Sequence, residues 1–293
     1  MPCMSNGREM KRTERPTRTR PLARAPVASF TGCDEGGGST YLAVGALTDR
    51  GRTKDRNQDS LFVLNGALSQ EDDLLPLGLY IVADGMGEAG AQASALTVRL
   101  VASRVLDRIY RPLLLEAEQT SDRQPIHQVL REAIIVANGR VQQVCPGGRT
   151  TCTCALVLGM NVFVAHVGDS RAYLVGRDTL DALTTDHSLV NRLIELGQIT
   201  PEEAKTHPQR NVLYRAVGRG DNLEVDTGLQ SLSVGNSLLL CSDGLWGVLS
   251  PEIITSIVRT APSAQIACRR LVARANESDG QDNVTVVLVQ VRD

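Results

Sequence analysis

No apolar run in the 293 residues approaches the ~18 residues of a membrane-spanning helix. Residues 1–26 contain no apolar stretch of the about 7–15 residues that a secretory signal requires. The 26 glycines and 12 prolines follow no period, which excludes a collagen-like or low-complexity chain. No strong charge excess is present either: the net charge of −2 provides no global attraction to nucleic acid or to a membrane. The seven cysteines (3, 33, 145, 152, 154, 241 and 268) are scattered and odd in number, which predicts reduced thiols in a cytoplasmic protein.

What is present is a core and an asymmetry. Forty-two per cent hydrophobic residues suffice for one large domain that buries roughly 75% of its unfolded surface. Residues 1–26 carry Arg8, Lys11, Arg12, Arg15, Arg18, Arg20 and Arg24 against Glu9 and Glu14, so this net +5 leaves −7 on the other 267 residues. Residues 1–40 are poor in apolar side chains and close on Gly36-Gly37-Gly38-Ser39-Thr40; they read as a disordered basic arm and flexible linker. Glu9 and Glu14 argue against an Arg- and Thr-rich transit peptide. The basic residues have no interleaved aromatics, so no specific nucleic-acid site is expected.

The folded part is expected over 41–293. Strands are predicted at 41–48, 61–64, 77–83, 151–158, 162–167, 172–175, 237–241 and 284–291, with turns at Gly159-Met160-Asn161 and Gly168-Asp169-Ser170. Apolar stripes at helical spacing predict helices over 91–110 and 126–144, and two more over 251–259 and 263–275. Consecutive strands with helices inserted in pairs favour an antiparallel, layered α+β fold over an alternating doubly wound one.

Five aspartates stand at the ends of these strands. Asp84-Gly85 follows 79–83, Asp243-Gly244 follows 238–242, and Asp169 follows 162–168. Asp282-Asn283 precedes the last strand, and Asn57-Gln58-Asp59 precedes the second. A single Asp-Gly is turn chemistry. Five carboxylates at buried strand ends are costly, because two unit charges ~4 Å apart repel by about 4 kcal/mol at an effective dielectric of ~20. Several such pairs rival the ~5–15 kcal/mol stability of a domain. Either the side chains diverge or cations lie among them. No His or Cys joins the group at zinc-like spacing, and an all-oxygen donor set selects Mg²⁺ or Mn²⁺. Two such ions ~3.5–4 Å apart activate a bridging water for in-line attack on phosphorus, with no protein nucleophile.

Seven ordered segments carry a family resemblance: TDRGRTKDRNQDS (48–60), VADGMGEAGAQAS (82–94), AHVGDSRAYLV (165–175), TTDHSLVNRLIELGQIT (184–200), HPQRNVLYRAVG (207–218), LLLCSDGLWGVLS (238–250) and QDNVTVVLVQV (281–291). In order and spacing, over essentially all of 41–293, the chain resembles the metal-dependent PPM/PP2C protein serine/threonine phosphatases in their bacterial form. The resemblance implies a central antiparallel β-sandwich flanked by pairs of α-helices, with metals in a cleft at one edge. It implies hydrolysis of phosphoserine and phosphothreonine by direct attack of a metal-bridging hydroxide. By the same resemblance Asp59 binds one core metal, Asp84 bridges both with the Gly85 carbonyl beside it, and Asp243 and Asp282 bind the other. Asp169, sharing Asp243, matches a ligand of a third, weaker ion. Residues about 186–218 match a flap beside the site. Mn²⁺ or Mg²⁺ as cofactor, phosphorylated proteins as substrates, a Ser/Thr kinase as partner and a monomeric state follow as expectations.

The chain departs from the family pattern at several positions. Lys54 stands where a phosphate-gripping Arg is usual; it is a point charge without the bidentate fork, and phosphate contact is still expected of it, with Arg52 or Arg56 as substitutes. Gln58 stands for a Glu, Met86 for a His proposed as general acid, Glu88 for a Gly, and Arg149-Thr150-Thr151 for Gly-Thr-Thr. These departures motivate a second reading, a regulatory pseudophosphatase that binds phosphoproteins or a kinase without turnover. Retention of all five carboxylates speaks against it, since a non-enzyme has no physical reason to keep so unfavourable a cluster.

Other motifs lead elsewhere. Gly85-Met86-Gly87-Glu88-Ala89-Gly90 fits a dinucleotide fingerprint, but Asp107, the acid it would need, falls inside a helical stripe, and no second strand fits between. Cys268 and Arg274 have the spacing of a cysteine phosphatase loop within a segment that reads as helix interior. Cys152 and Cys154 share one strand face and are expected as buried thiols. His187 is expected as a hydrogen-bonding residue at the flap base, His166 as packed, and His127 and His207 at the surface.

Overall fold

The computed structural model describes residues 40–70, 73–115 and 124–292; the expected basic arm, Thr40 apart, lies outside the described residues. Runs of aliphatic and β-branched residues form the strands. These are β1 (Tyr41–Asp49), β2 (Ser60–Gln70), β3 (Asp73–Ala83), β4 (Gly85–Met86), β5 (Arg149–Thr150) and β6 (Cys152–Leu158). β7 (Asn161–Val167), β8 (Arg171–Val175), β9 (Leu180–Ala182), β10 (Asp226–Ser231), β11 (Ser237–Cys241) and β12 (Val284–Arg292) follow. One sheet has the order β1-β12-β11-β8-β9 and the other β10-β7-β6-β3-β2, with β4 and β5 as a separate ribbon. Every pairing is antiparallel.

The helices are α1 (Gly90–Val105), α2 (Arg111–Leu114), α3 (Ile126–Val144), α4 (Leu189–Glu195), α5 (Pro201–Lys205), α6 (Asp243–Trp246), α7 (Pro251–Thr260) and α8 (Ala264–Ser278). A π-helical turn, Leu106–Tyr110, joins α1 to α2, and there the Arg111 N–H reaches back to the Leu106 carbonyl. Pro112 follows directly; it has no N–H to offer, and its ring crowds the carbonyl four residues earlier. The helix predicted over 91–110 is therefore interrupted where a proline comes next.

Strand alternation divides the apolar residues among three cores. Leu238 and Leu240 of β11 face Val287 and Val289 of β12 and, from the other sheet, Tyr80, Val82, Ala155 and Val157. Leu239 and Cys241 point the opposite way, onto Ile254, Val258, Cys268 and Leu271 of α7 and α8. On the second sheet Leu79, Ile81, Cys152 and Cys154 meet Val98, Val101, Leu130 and Ile134 of α1 and α3. The result is a four-layer α+β sandwich with helices on both outer faces. Both faces of the central strands are covered, so they read as unbroken apolar runs. No helix among the described residues is long and apolar enough to cross a membrane.

Candidate metal centre

Antiparallel pairing sets the start of one strand beside the end of its neighbour. Ser60 lies opposite Ala83, so Asp59 and Asp84 meet at one edge. Cys241 lies opposite both Val286 and Arg171, which brings Asp243, Asp282 and Asp169 to that edge of the other sheet. All five strand-end aspartates of the sequence reading occupy one pole of the sandwich.

Each is held by the chain around it. The Asp84 N–H donates to Thr151 Oγ1 at 2.9 Å, and its carbonyl accepts from the Thr150 hydroxyl at 2.8 Å and the Thr151 N–H at 2.9 Å. Asp59 Oδ2 accepts from the Ser242 hydroxyl at 2.8 Å. Asp243 opens α6. Gly85 is required at its position, since a Cβ there would lie 2.3 Å from the Gly90 carbonyl oxygen and 2.5 Å from that of Gln58. Arg149-Thr150 pairs with Gly85-Met86 as a ribbon, so the replacement of Gly by Arg149 leaves an ordered entry to β6.

The electrostatics are those of acids only partly compensated by their neighbours. Burial pushes the Asp59 carboxyl up to about 6, with Asp243 and Asp282 adding to the rise and the Ser242 hydroxyl opposing it. Desolvation raises Asp84 well above the ordinary carboxylate range, and the charges of Asp59, Asp243, Asp169 and Asp282 raise it further. Asp169 is raised by burial and by Asp243 and Asp186, against the pull of Arg171. Asp243 is raised by burial and by Asp282. Asp59 Oδ1 and Asp243 Oδ1 are buried with no hydrogen-bond partner. Two orphaned anionic oxygens in an all-oxygen donor set fit a hard divalent cation. Among the described residues, no three His, Cys, Asp or Glu side chains close into a ready-made cage. Asp282 instead turns onto Lys54, whose Nζ lies 2.8 Å from its Oδ1.

Lys54 sits on a loop strung along residues 276–283. The Arg52 N–H donates to the Gly280 carbonyl, Arg52 Nε to that of Asn276, and the Thr53 hydroxyl to that of Gln281. Asn283 organises the loop from below: its Oδ1 accepts from the Gln58 N–H, and its Nδ2 donates to the carbonyls of Arg50 and Arg56. Arg52 is thus committed to the end of α8, and Lys54 faces the Asp282 carboxylate. Its ammonium is raised by the Asp282 hydrogen bond, against desolvation, with Asp84 and Asp243 adding to the rise. The Gln58 amide donates to the Gly87 carbonyl at 2.9 Å, tying this loop to the turn that bears the exposed Glu88.

The sequence reading missed the contributions of Ser242 and Asn283. Both are small polar residues adjoining a strand-end aspartate, and that adjacency was the available signal. The other motifs resolve plainly. Cys268 is buried inside α8 and Cys152 and Cys154 in the helix-facing core, so none of the three is placed as a nucleophile. His166 is buried, with its pKa lowered to about 3 by desolvation. His127 is exposed, while His207 is half-buried and accepts from the Gln209 N–H. Buried His187 accepts the Gly168 N–H at Nδ1, so Nε2 carries the proton and donates to Asp226 Oδ2 at 3.1 Å.

The family model described as Protein phosphatase 2C matches residues 49–194. The chain is similar to the serine/threonine phosphatase stp of Listeria welshimeri, with 37% identity over 245 residues that span 83% of this chain and 93% of the relative. Among solved structures it is similar to the serine/threonine phosphatase PstP/Ppp of Mycobacterium tuberculosis, with TM-score 0.69 and 32% identity over 86% of this chain and 99% of that one. It is also similar to a PstP catalytic domain in complex with two manganese ions, with TM-score 0.68 and 30% identity over 87% and 100%.

Proposed function

The chain belongs to the protein phosphatase 2C family of metal-dependent serine/threonine phosphatases, and from that premise we propose that its substrates are proteins phosphorylated on serine and threonine, cleaved at the aspartate pole. The observation that carries the reading is the pair of buried, unpartnered oxygens, Asp59 Oδ1 and Asp243 Oδ1, among acids that raise one another's pKa. In this reading Asp59, Asp84, the Gly85 carbonyl, Asp243 and Asp282 hold two core Mn²⁺ or Mg²⁺ ions, and Asp169 with Asp243 holds a weaker third. When bound, such ions neutralise the cluster, polarise phosphoryl oxygens and lower the pKa of water towards neutrality.

The remaining roles belong to the chain. Thr150 and Thr151 fix the Asp84 backbone from both sides, and Ser242 orients Asp59, so these two acids would receive the cations with little reorganisation. Lys54, released from Asp282, holds a non-bridging phosphate oxygen as a point charge. Water is the attacking group: its oxygen bonds to phosphorus as the bond to the seryl or threonyl oxygen breaks on the opposite side, its proton passes to solvent, and the leaving alkoxide takes a proton from solvent water. We assign the phosphatase domain to 41–293, with the flap at about 186–218 and the basic arm outside it. The five described cysteines are free and buried, which supports a reducing, cytoplasmic setting in which a Ser/Thr kinase supplies the substrates.

Phosphate release from a phosphothreonine peptide tests this, run with Mn²⁺, with EDTA and with Asp84→Asn. Turnover that needs Mn²⁺ and vanishes in the variant is the expected result. Turnover indifferent to EDTA and to Asp84 overturns the carboxylate argument. No turnover from folded protein that still binds Mn²⁺ points to the pseudophosphatase.

A further inference from the structure

The turn that carries Asp169 is gripped from two sides by residues with no assigned part in the chemistry. On the flap side, the Gly168 carbonyl accepts from the His187 N–H at 2.7 Å, and the Gly168 N–H donates to His187 Nδ1 at 3.1 Å. On the other side, the Asp169 carbonyl accepts from Trp246 Nε1 at 2.9 Å, and Trp246 ends the short helix that Asp243 begins. Arg171 closes the circuit. Its Nε and Nη2 form a two-pronged bond to Asp186 at 2.9 and 2.7 Å, and its guanidinium lies 3.5 Å from the centroid of the Trp246 ring. Its third nitrogen donates to the Tyr173 hydroxyl at 2.9 Å.

Asp186 is buried, and its carbonyl receives the Asn191 amide from α4, so the acid that Arg171 holds is also the root of the flap. A guanidinium that stacks and forks at once has one orientation; an ammonium in its place satisfies neither demand. The flap root, the Asp169 turn and the Asp243 helix therefore share a single rigid pivot.

We infer that Arg171 is a positioning residue that couples the flap to the cation site formed by Asp169 and Asp243, so that flap order and occupancy of that site rise and fall together. The inference rests on the assignment of Asp169 and Asp243 as cation ligands. Neither Arg171 nor Trp246 touches substrate in this scheme; each acts through the placement of the Asp169 carbonyl and the α6 axis. By linkage, whatever stabilises the flap tightens the cation, and the cation stabilises the flap by the same factor.

Two measurements on the full chain decide it. The first is the Mn²⁺ binding isotherm, read from the electron paramagnetic resonance signal of free Mn²⁺, for wild type, Arg171→Lys, Asp186→Asn and Trp246→Phe, with Asp169→Asn as reference. The three pivot variants are expected to weaken the loosest Mn²⁺ by threefold or more and leave the tight phase in place, whereas Asp169→Asn removes the loose phase. The second is hydrogen exchange at the amides of His187, Leu189 and Tyr214, which bond to Gly168, Val212 and His187 across the flap root. Saturating Mn²⁺ is expected to slow their exchange in wild type but not in Arg171→Lys.

Pivot variants with the wild-type isotherm, beside an altered Asp169→Asn, overturn the inference alone. A wild-type chain that binds no Mn²⁺ overturns the assignment beneath it and the inference with it. Trp246→Phe keeps an aromatic face and loses one hydrogen bond, so it decides the matter should Arg171→Lys fail to fold.

Discussion

Stripping divalent cations at neutral pH should expose the strain of the aspartate pole as lost stability. Asp59 ordinarily titrates near 3.8, and in the folded chain burial pushes it up to about 6. Below about pH 4 it is protonated in both states and costs nothing. Above about pH 6 it is charged in both, and only the folded state must bury that charge. Its contribution therefore falls as pH rises through this window, by about 3 kcal/mol once complete, at about 1.4 kcal/mol per pH unit of displacement. For a domain of this size that is roughly 6–12 °C in Tm. Asp226 acts in the opposite sense. The His187 hydrogen bond lowers it, so its contribution is present above its unfolded pKa and lost as pH falls. The test is thus a difference: melts in EDTA from pH 4 to 8 for wild type and Asp59→Asn, which has no charge to bury. Wild type should lose stability relative to the variant between pH 4 and 6. Mn²⁺ should restore it at pH 7.5 far more than at pH 4.5, where protons hold the ligands. Parallel wild-type and Asp59→Asn curves, or an Mn²⁺ gain independent of pH, would refute the reasoning.

Two further substitutions probe the same pole. Gly85→Ala places a methyl group against the backbone of Gly90 and Gln58, and a clash with backbone is not relieved by a rotamer change. A loss of about 1–3 kcal/mol or more is expected in urea unfolding, together with weaker Mn²⁺ binding, and wild-type values for both would remove Gly85 from the site. If Lys54 holds phosphate as proposed, Lys54→Arg supplies a fork there, so kcat/KM on a small phosphate monoester should rise or stay level; a large loss would mean that Lys54 is not at the phosphate.

The central strands were legible because both their faces are buried, and β11 matches its expected span, Ser237–Cys241. The β2–β3 hairpin was read too short. Beyond Leu64 it runs through Asn65, Gly66 and Pro76, which usually end strands; here Asn65 pairs with Gly78 and Ala67 with Pro76, and Asn65 is held by the Leu42 carbonyl and the Tyr80 hydroxyl. Edge strand β10, Asp-Thr-Gly-Leu-Gln-Ser, has no fully buried position and so no apolar alternation to detect. Helix α5 did carry a signal, the capping box of Thr200 and Glu203 with Pro201 at the first turn, but its five residues show no periodicity.

The site divides along the same physical line. Its aspartates were legible because each adjoins a strand, and antiparallel pairing obliges alternate starts and ends of neighbouring strands to share one edge. The groups that orient them were not. Thr151 reaches Asp84 across 67 residues, Ser242 reaches Asp59 across 183, and Asn283 reaches Gln58 across 225. Adjacency to a strand-end aspartate marks Ser242 and Asn283 as residues of interest, but nothing local names a partner at such a distance; only the register does. Arg171 extends the point. Two residues after Asp169 in sequence it reads as one more basic residue, yet the fold brings it Asp186 from the segment before α4 on one side and the only tryptophan of the chain on the other. Charge and type were visible along the chain, whereas the joint demand to fork and to stack, which an arginine meets and a lysine does not, exists only once β8, Asp186 and α6 have met.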